Sequence, residues 1–211
     1  MKKKIFLVAL IFVVAIFVLT ACDLTGSKNE EEEDVYAKLN KMTEETYDKI
    51  DLGISTTYKN YTLNSKFFAS VAQNGTMVTY SVERLATIEQ DENGQYVMPE
   101  EQIATSKGSA TIKNGKIVEI AGDKVDIPVE RLDKISLKFS EEFFSSALDG
   151  IENGKNVFKA TVTNPVSFTG NIDFDGKDMT VDIVYGEKKF EKVSINYTSK
   201  NGALVKVVYS F

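Results

Sequence analysis

The pattern of apolar and polar residues predicts three regions along the chain. Residues Ile5–Leu19 are all apolar and follow three lysines. Residues 23–34 offer little that can be buried and end in a run of acidic side chains, which is typical of a disordered, self-repelling tether. From Val35 onward, apolar residues recur with helix or strand periodicity. This pattern predicts one folded domain over residues 35–211.

The folded region is predicted to begin with one amphipathic helix. Its stripe recurs at three- and four-residue intervals and consists of Val35, Leu39, Met42, Thr46 and Ile50. Residues at this spacing lie on one helix face. We therefore expect a helix from Val35 to Ile50.

Beyond Gly53 the pattern changes to short runs with a period of two. The runs alternate most clearly in Met179–Tyr185, Val193–Tyr197 and Val205–Phe211. Turn dipeptides that favour hairpins separate many of the runs. These dipeptides are Asn74-Gly75, Asn93-Gly94, Asn114-Gly115, Asn153-Gly154, Asp175-Gly176 and Asn201-Gly202. The pattern predicts an antiparallel sheet with one buried face.

A short helix is predicted to interrupt the strands. Ser140 is a suitable N-cap, two acidic residues follow it, and Gly150 is a suitable end. The apolar stripe of this helix is Phe143, Phe144, Ala147 and Leu148. With the first helix, it provides two elements that can cover one face of the sheet.

These elements predict an α+β fold class. A curved antiparallel sheet, arranged as a half-barrel-like meander, is covered by the N-terminal helix and the one short inserted helix. A cystatin-like sheet and a closed β-sandwich fit the same pattern.

The apolar run ends in the only cysteine of the chain, within Leu19-Thr20-Ala21-Cys22. With the three lysines before it, this segment has the parts of an export signal. It resembles the lipobox of bacterial lipoproteins. The resemblance implies cleavage between Ala21 and Cys22, lipidation of the Cys22 thiol by acyl chains such as palmitate, and a lipid anchor on the extracytoplasmic face of the cell membrane.

Two alternatives to this lipid anchor remain open. A membrane-spanning anchor needs roughly 20 apolar residues, and the run Ile5–Leu19 is shorter. An ordinary secretory signal with an incidental cysteine is the second. In the lipoprotein interpretation, residues 1–21 are the signal peptide and residues 22–34 are the lipidated cysteine and its acidic tether.

The charge of the chain argues against nucleic acid as a partner. The formal net charge is −6, and removal of Lys2, Lys3 and Lys4 with the signal peptide makes it −9. Phosphate binding requires clustered lysine and arginine instead. The membrane, through Cys22, is the expected partner, and a protein of the cell envelope is a further candidate.

The composition narrows the chemistry, because the chain contains no histidine. Ser-His-Asp and Cys-His nucleophilic sites and histidine-bearing zinc sites are thereby excluded. Hydrolysis by paired carboxylates or by a Ser-Lys pair remains possible. The acidic pairs Glu100-Glu101 and Glu141-Glu142 are interpreted as solvated surface. We expect neither an enzyme nor a cofactor.

Two further patterns favour structural roles over binding roles. The acidic run Asp173–Asp178 has oxygen ligands near a glycine, as calcium loops do, but Asp175-Gly176 is better explained as a hairpin turn. Five tyrosines are candidates for stacking on sugars, yet tyrosine more often lies at the rim of a core. They are Tyr58, Tyr61, Tyr80, Tyr96 and Tyr197.

The element order from Val35 to Phe211 resembles the LolA and LppX-LprG group of half-barrel lipoproteins. That resemblance implies that the covered sheet holds a lipid. A large supply of phenylalanine is available to line such a pocket: Phe67, Phe68, Phe139, Phe143, Phe144, Phe158, Phe168, Phe174 and Phe190.

The sequence thus favours a non-enzymatic, membrane-anchored lipoprotein that binds a hydrophobic or lipid ligand, at residues that the sequence does not identify. The alternative is a solid-cored module that recognises an envelope protein without any small ligand. A cavity on the sheet distinguishes the two hypotheses.

Overall fold

A computed structural model describes residues 34–59, 61–72, 75–86, 89–90, 92–97, 103–129, 132 and 135–211. The predicted signal peptide, Ala21, Cys22 and the predicted tether up to residue 33 lie outside these residues. Within the described part of the chain, Val35–Phe211 forms one compact unit.

The dominant element is one ten-stranded antiparallel sheet, with the order β7-β6-β3-β2-β1-β12-β11-β10-β9-β8. The strands are β1 Lys49–Thr57, β2 Tyr61–Ala72, β3 Gly75–Ala86, β4 Glu89–Gln90, β5 Tyr96–Val97, β6 Ile103–Lys113, β7 Lys116–Gly122, β8 Phe144–Glu152, β9 Lys155–Val162, β10 Lys177–Tyr185, β11 Phe190–Thr198 and β12 Leu204–Ser210. The short strands β4 and β5 pair with each other apart from the main sheet. The predicted antiparallel sheet is confirmed.

The sheet is open, and the first and last strands of the chain meet at its centre. Strand β1 pairs with both β2 and β12, so the first half of the chain extends the sheet in one direction and the second half in the other. Strands β7 and β8 form the two edges and do not pair with each other. The fold is therefore mainly β, and its helices are few and short.

One face of the central strands is apolar, as the alternation predicts. Leu52 at the centre lies between Phe67 of β2 and Tyr209 of β12, and all three side chains are buried. Beyond Tyr209 the same row continues with Val193 and Ile183. We call this the inner face, and the opposite face, which is largely polar, the outer face.

Asn-Gly dipeptides form tight hairpins at two of the predicted positions. Asn114-Gly115 joins β6 to β7, and Asn153-Gly154 joins β8 to β9. All four residues have positive φ, between 51° and 77°. Positive φ at both central residues defines the type I′ turn that matches the twist of a hairpin.

The N-terminal helix, α1, extends from Val35 to Glu44 and is shorter than predicted. The expected stripe is correct as far as Leu39 and Met42, which are buried. Ile50 instead belongs to β1, where it alternates with Leu52. The prediction was wrong at this end because Ile50 satisfies the helical spacing and the strand alternation equally well.

The predicted helix from Ser140 to Gly150 is wrong. A single 3-10 turn, Glu141–Phe143, is followed at once by β8, and the Ser140 side chain makes no capping hydrogen bond. The Asn153-Gly154 hairpin pairs these residues with β9, and this pairing supplies backbone hydrogen bonds along the strand. A ten-residue helix has little stability of its own, so the strand prevails.

A helix that the sequence analysis missed, α2, spans Pro165–Thr169. Its signals were present in the sequence. Asn164 accepts a hydrogen bond from the Ser167 amide, Pro165 occupies the first turn, and Gly170 ends the helix with a φ of 66°. Proline at the start and glycine after the end are standard helix boundaries.

Candidate functional site

Segments outside the sheet contribute buried side chains to the inner face. Helix α1 contributes Leu39 and Met42, and α2 contributes Phe168. The third segment, Ile135–Phe139, is extended, and we call it the strap. Along the strap, residues 135, 137 and 139 are buried, whereas Ser136 and Lys138 are exposed.

Helices α1 and α2 hold the strap by hydrogen bonds to its backbone. The Asn40 amide nitrogen donates to the Phe139 carbonyl at 2.7 Å, and the Phe139 amide donates to Asn40 Oδ1 at 2.9 Å. The Lys138 amide donates to the Phe168 carbonyl at 2.8 Å. Because these bonds satisfy main-chain groups that the strap cannot pair in a sheet, they fix its path.

Near the β8 edge, the inner face is filled by aromatic rings. We call this group the aromatic cluster: Tyr36, Phe139, Phe144, Phe158 and Phe168. Ring centroids within it lie between 5.3 and 6.3 Å apart. These distances are typical of aromatic pairs in a packed core. This part of the inner face is therefore solid.

Nearer the centre of the sheet, two cavities flank the strap and share the lining residues Ser136, Leu137, Thr169 and Gly170. The first, the helix cavity, has a volume of about 720 Å³ and lies beside the end of α1. The second, the sheet cavity, has a volume of about 610 Å³ and lies above β10, β11 and β12. Both volumes fall within the range of roughly 300–1,000 Å³ that is usual for ligand pockets.

The sheet cavity has a floor of inward-facing side chains from three adjacent strands. These are Met179, Ile195, Tyr197, Val207 and Tyr209. Four of them are buried, and Tyr197 is half-buried. The loop Asn171–Phe174, which follows α2, forms the rim.

Gly176 lies against two rings that line the sheet cavity and is not part of a hairpin turn. The Asp175-Gly176 prediction was wrong, since both residues precede β10 in the connection from α2. A Cβ at Gly176 would lie 2.6 Å from Phe174 and 2.7 Å from Tyr197. Those two rings meet edge to face at 5.1 Å. Glycine is required here because the rings occupy the space of a side chain.

The helix cavity has more charged side chains in its lining than the sheet cavity does. Its lining includes Glu44, Glu45 and Lys138, together with the hydroxyl groups of Thr43 and Thr46. An apolar chain placed there would lie against charged groups that lose water, which is costly. The sheet cavity is the better candidate for an apolar ligand.

Comparison with known proteins adds no relative to this picture. No family model matches the chain, and no curated protein matches it significantly. None of the helices among the described residues has both the length and the hydropathy that a membrane crossing requires.

The residues that suggested chemistry do not converge. Glu141 and Glu142 are exposed side by side in the 3-10 turn, and Glu100-Glu101 lies outside the described residues. Within the described ranges, no group of three or more His, Cys, Asp or Glu is arranged to hold a metal ion. The acidic run at 173–178 thus gives no such site.

The candidate tyrosines are dispersed over the sheet. Tyr58 and Tyr61 stack on each other at 4.5 Å, and the Arg84 guanidinium lies 4.6 Å from the Tyr61 ring centroid. Tyr80 is buried in the core. Of the five tyrosines, Tyr197 is the one that lines the sheet cavity.

The phenylalanine supply is divided between core, cavity and surface. Phe67, Phe139, Phe158, Phe168 and Phe190 are buried, and Phe143, Phe144 and Phe174 are partly buried. Phe174 lines the sheet cavity. Phe68 points to the outer face and is 44% exposed.

The surroundings of two buried tyrosines raise the pKa of their hydroxyl groups. Burial raises the pKa of Tyr47, whose hydroxyl donates to the Met42 carbonyl at 3.1 Å and accepts from the Phe190 amide at 3.0 Å. Burial also raises the pKa of Tyr185, and the hydrogen bond to Asp149 at 2.6 Å raises it further. Both hydroxyls remain neutral donors, and neither lines the sheet cavity.

Proposed function

We propose that this protein is a membrane-anchored, extracytoplasmic lipoprotein that binds a hydrophobic or lipid ligand in the sheet cavity and catalyses no reaction. The anchor is the lipid on Cys22, and residues 23–34 tether the domain to the membrane surface. The lipobox-like segment supports the location. The observation that carries the binding function is the sheet cavity itself.

The apolar floor of the cavity supports an acyl chain as ligand. Met179, Ile195 and Val207 come from three neighbouring strands and expose no polar side-chain group toward the ligand. Each methylene that leaves water contributes about 0.8 kcal/mol. Apolar ligand sites are usually preformed and mainly hydrophobic.

In this proposal the sheet acts as a curved, half-barrel-like trough, covered by α1, the strap and α2. The burial of Leu39, Met42, Leu137 and Phe168 against the same core supports that arrangement. Two strap residues, Ser136 and Leu137, line both cavities, so displacement of the strap would join them into a larger space.

A second candidate function is recognition of an envelope protein through the outer face. Two large apolar side chains are exposed there, Phe68 at 44% and Met77 at 50%. Their register partners are Thr79 and Ser70, which places them diagonally across β2 and β3. Such a patch favours a protein contact, although isolated exposed apolar side chains are common.

Native mass spectrometry of residues 23–211, purified from lipid-containing cells, tests the carrier proposal. We expect a co-purifying acyl species that denaturation releases. Val207→Phe places a ring in the sheet cavity and should abolish this species. Val208→Phe is the matched control, because Val208 adjoins Val207 on β12 and points to the outer face.

The outcome decides between the two candidate functions. If the protein has its bare mass and added fatty alcohol, fatty acid or phospholipid neither binds nor raises the Tm, the carrier proposal fails. Equal retention of lipid by both variants would place the ligand elsewhere. Mass spectrometry of the full expressed chain that finds Cys22 without acyl chains would contradict the anchor.

A further inference from the structure

The charge of the cavity lining restricts the headgroup of the ligand. Among the described residues that line the sheet cavity, Asp173 is the one with a charged side chain. All the others are apolar, hydroxyl-bearing or amide side chains, or glycine. A ligand seated on the apolar floor therefore has its polar end near a carboxylate.

Asp173 has a defined position at the rim. Its amide donates to Asn171 Oδ1 at 3.1 Å, and Phe174, the next residue, packs on Tyr197. The Asp173 side chain is exposed and can face the headgroup of a ligand that enters from solvent.

Among the described residues, no lysine lines the sheet cavity and compensates for this carboxylate. Lys138, on the strap, lines the helix cavity and not the sheet cavity. The Lys200 Nζ lies 3.9 Å from the Asp175 Oδ2, so this lysine interacts with a different carboxylate. Desolvating a negative headgroup without a partner costs free energy, and proximity to Asp173 adds repulsion.

We propose that the sheet cavity disfavours fatty acids and other anionic lipids and prefers amphiphiles whose headgroup carries no negative charge. Asp173 is the specificity-determining residue. This inference rests on the proposed function, since it names the ligand class of the same cavity.

Photocrosslinking in membrane vesicles from cells that express the full chain tests this selectivity. The probes are a laurate and its 1-monoglyceride that carry the same diazirine, compared at pH 9 and at equal vesicle-bound concentration. The measured quantity is the yield of crosslinked peptides that contain Met179 or Ile195. We expect the monoglyceride to label these peptides about five-fold more strongly than the laurate.

Reversal of the charge at residue 173 should remove the selectivity. In Asp173→Lys, we expect the laurate to label within about two-fold of the monoglyceride. Glu187→Lys is the matched control, because Glu187 is exposed, lies in the β10–β11 turn and carries the same charge change. It should keep the wild-type ratio.

The possible results separate this inference from the function on which it rests. Equal labelling of the wild type by both probes, or a ratio that Asp173→Lys leaves unchanged, would overturn the headgroup selectivity while lipid binding stands. If neither probe labels the cavity peptides, the proposed lipid binding fails and the selectivity fails with it.

Discussion

The aromatic cluster and the sheet cavity occupy the same inner face of one sheet, yet one is packed and the other is open. In the cluster, the rings of Phe139, Phe144 and Phe158 fill the space above β8 and β9. Above β10 to β12, by contrast, the strap and the loop Asn171–Phe174 stand apart and leave about 610 Å³. The packed region stabilises the domain, and the neighbouring open region is the one in which we propose that a ligand binds.

The largest expected difference between the two regions is in the cost of deleting a ring. Phe158→Ala removes a fully buried side chain from the cluster and should lower the free energy of unfolding by about 3–5 kcal/mol. Phe174→Ala, at the wall of the cavity, should cost about 1 kcal/mol, because that ring is already partly exposed. Urea denaturation measures both. Equal losses would contradict the division.

Adding a larger side chain should likewise cost more in the packed core than at the sheet cavity. Val181→Phe inserts a ring into packed core on β10 and should cost about 1–3 kcal/mol. Val207→Phe directs the same ring into the sheet cavity and should change the free energy of unfolding by less than about 1 kcal/mol. Thermal unfolding compares the two variants. A larger loss for Val207→Phe would mean that the cavity cannot accept a ring.

Release of the strap should destabilise the domain by an intermediate amount. Asn40→Ala removes both side-chain hydrogen bonds to the Phe139 backbone and should cost about 1–3 kcal/mol. Asn196→Ala, exposed on the outer face, is the control and should have little effect. Hydrogen exchange of the Phe139 amide should accelerate in the first variant only. Unchanged exchange would show that Asn40 does not hold the strap.

The smallest expected effect is a pH dependence of the free energy of unfolding, which originates in the titration of Tyr185. Burial and the Asp149 hydrogen bond raise the pKa of Tyr185 above its ordinary value near 10. The folded state therefore keeps this proton where the unfolded state has lost it. Stability is fully present below pH 10 and falls as the pH rises through the folded-state pKa, by at most about 1.4 kcal/mol for each pH unit.

Tyr185→Phe provides the test of this titration. The variant loses the hydrogen bond to Asp149 at all pH values, but its free energy of unfolding should fall less steeply than that of the wild type between pH 10 and 11. Parallel curves would contradict the assignment.

Local patterns identified the strands of the second half of the chain well. Met179, Val181, Ile183 and Tyr185 alternate without exception and are buried on the inner face. The Asn-Gly hairpins succeeded because two consecutive residues with positive φ are uncommon outside such turns. Where the period of apolar residues and the turn residues indicate the same element, the local structure can be predicted from the sequence alone.

Residues whose local sequence fits two kinds of element were assigned to the wrong one. Phe144, Ala147 and Leu148 satisfy a helical stripe, but pairing with β9 decides their structure, and this pairing depends on a hairpin later in the chain. Asp175-Gly176 has the sequence of a hairpin, whereas the rings of Phe174 and Tyr197 determine its conformation. Neither contact is encoded in the local sequence.

The sheet cavity could not be predicted from the sequence, for a similar reason. Its floor residues, Met179, Ile195 and Val207, have the same pattern as the packed residues beside them. A cavity forms where covering segments fail to meet, and that depends on the paths of the strap and of the loop Asn171–Phe174. Those paths follow from long-range contacts such as the one between Asn40 and Phe139.

The central claim is that the sheet cavity, and not the packed core beside it, receives an apolar chain. A crystal structure of the mature chain grown with a terminally brominated lauryl alcohol tests this most directly, because anomalous scattering locates the bromine. We expect a bromine peak between Met179, Ile195 and Val207, and we expect this peak to be absent in Val207→Phe. A peak confined to the outer face near Phe68 and Met77 would contradict it.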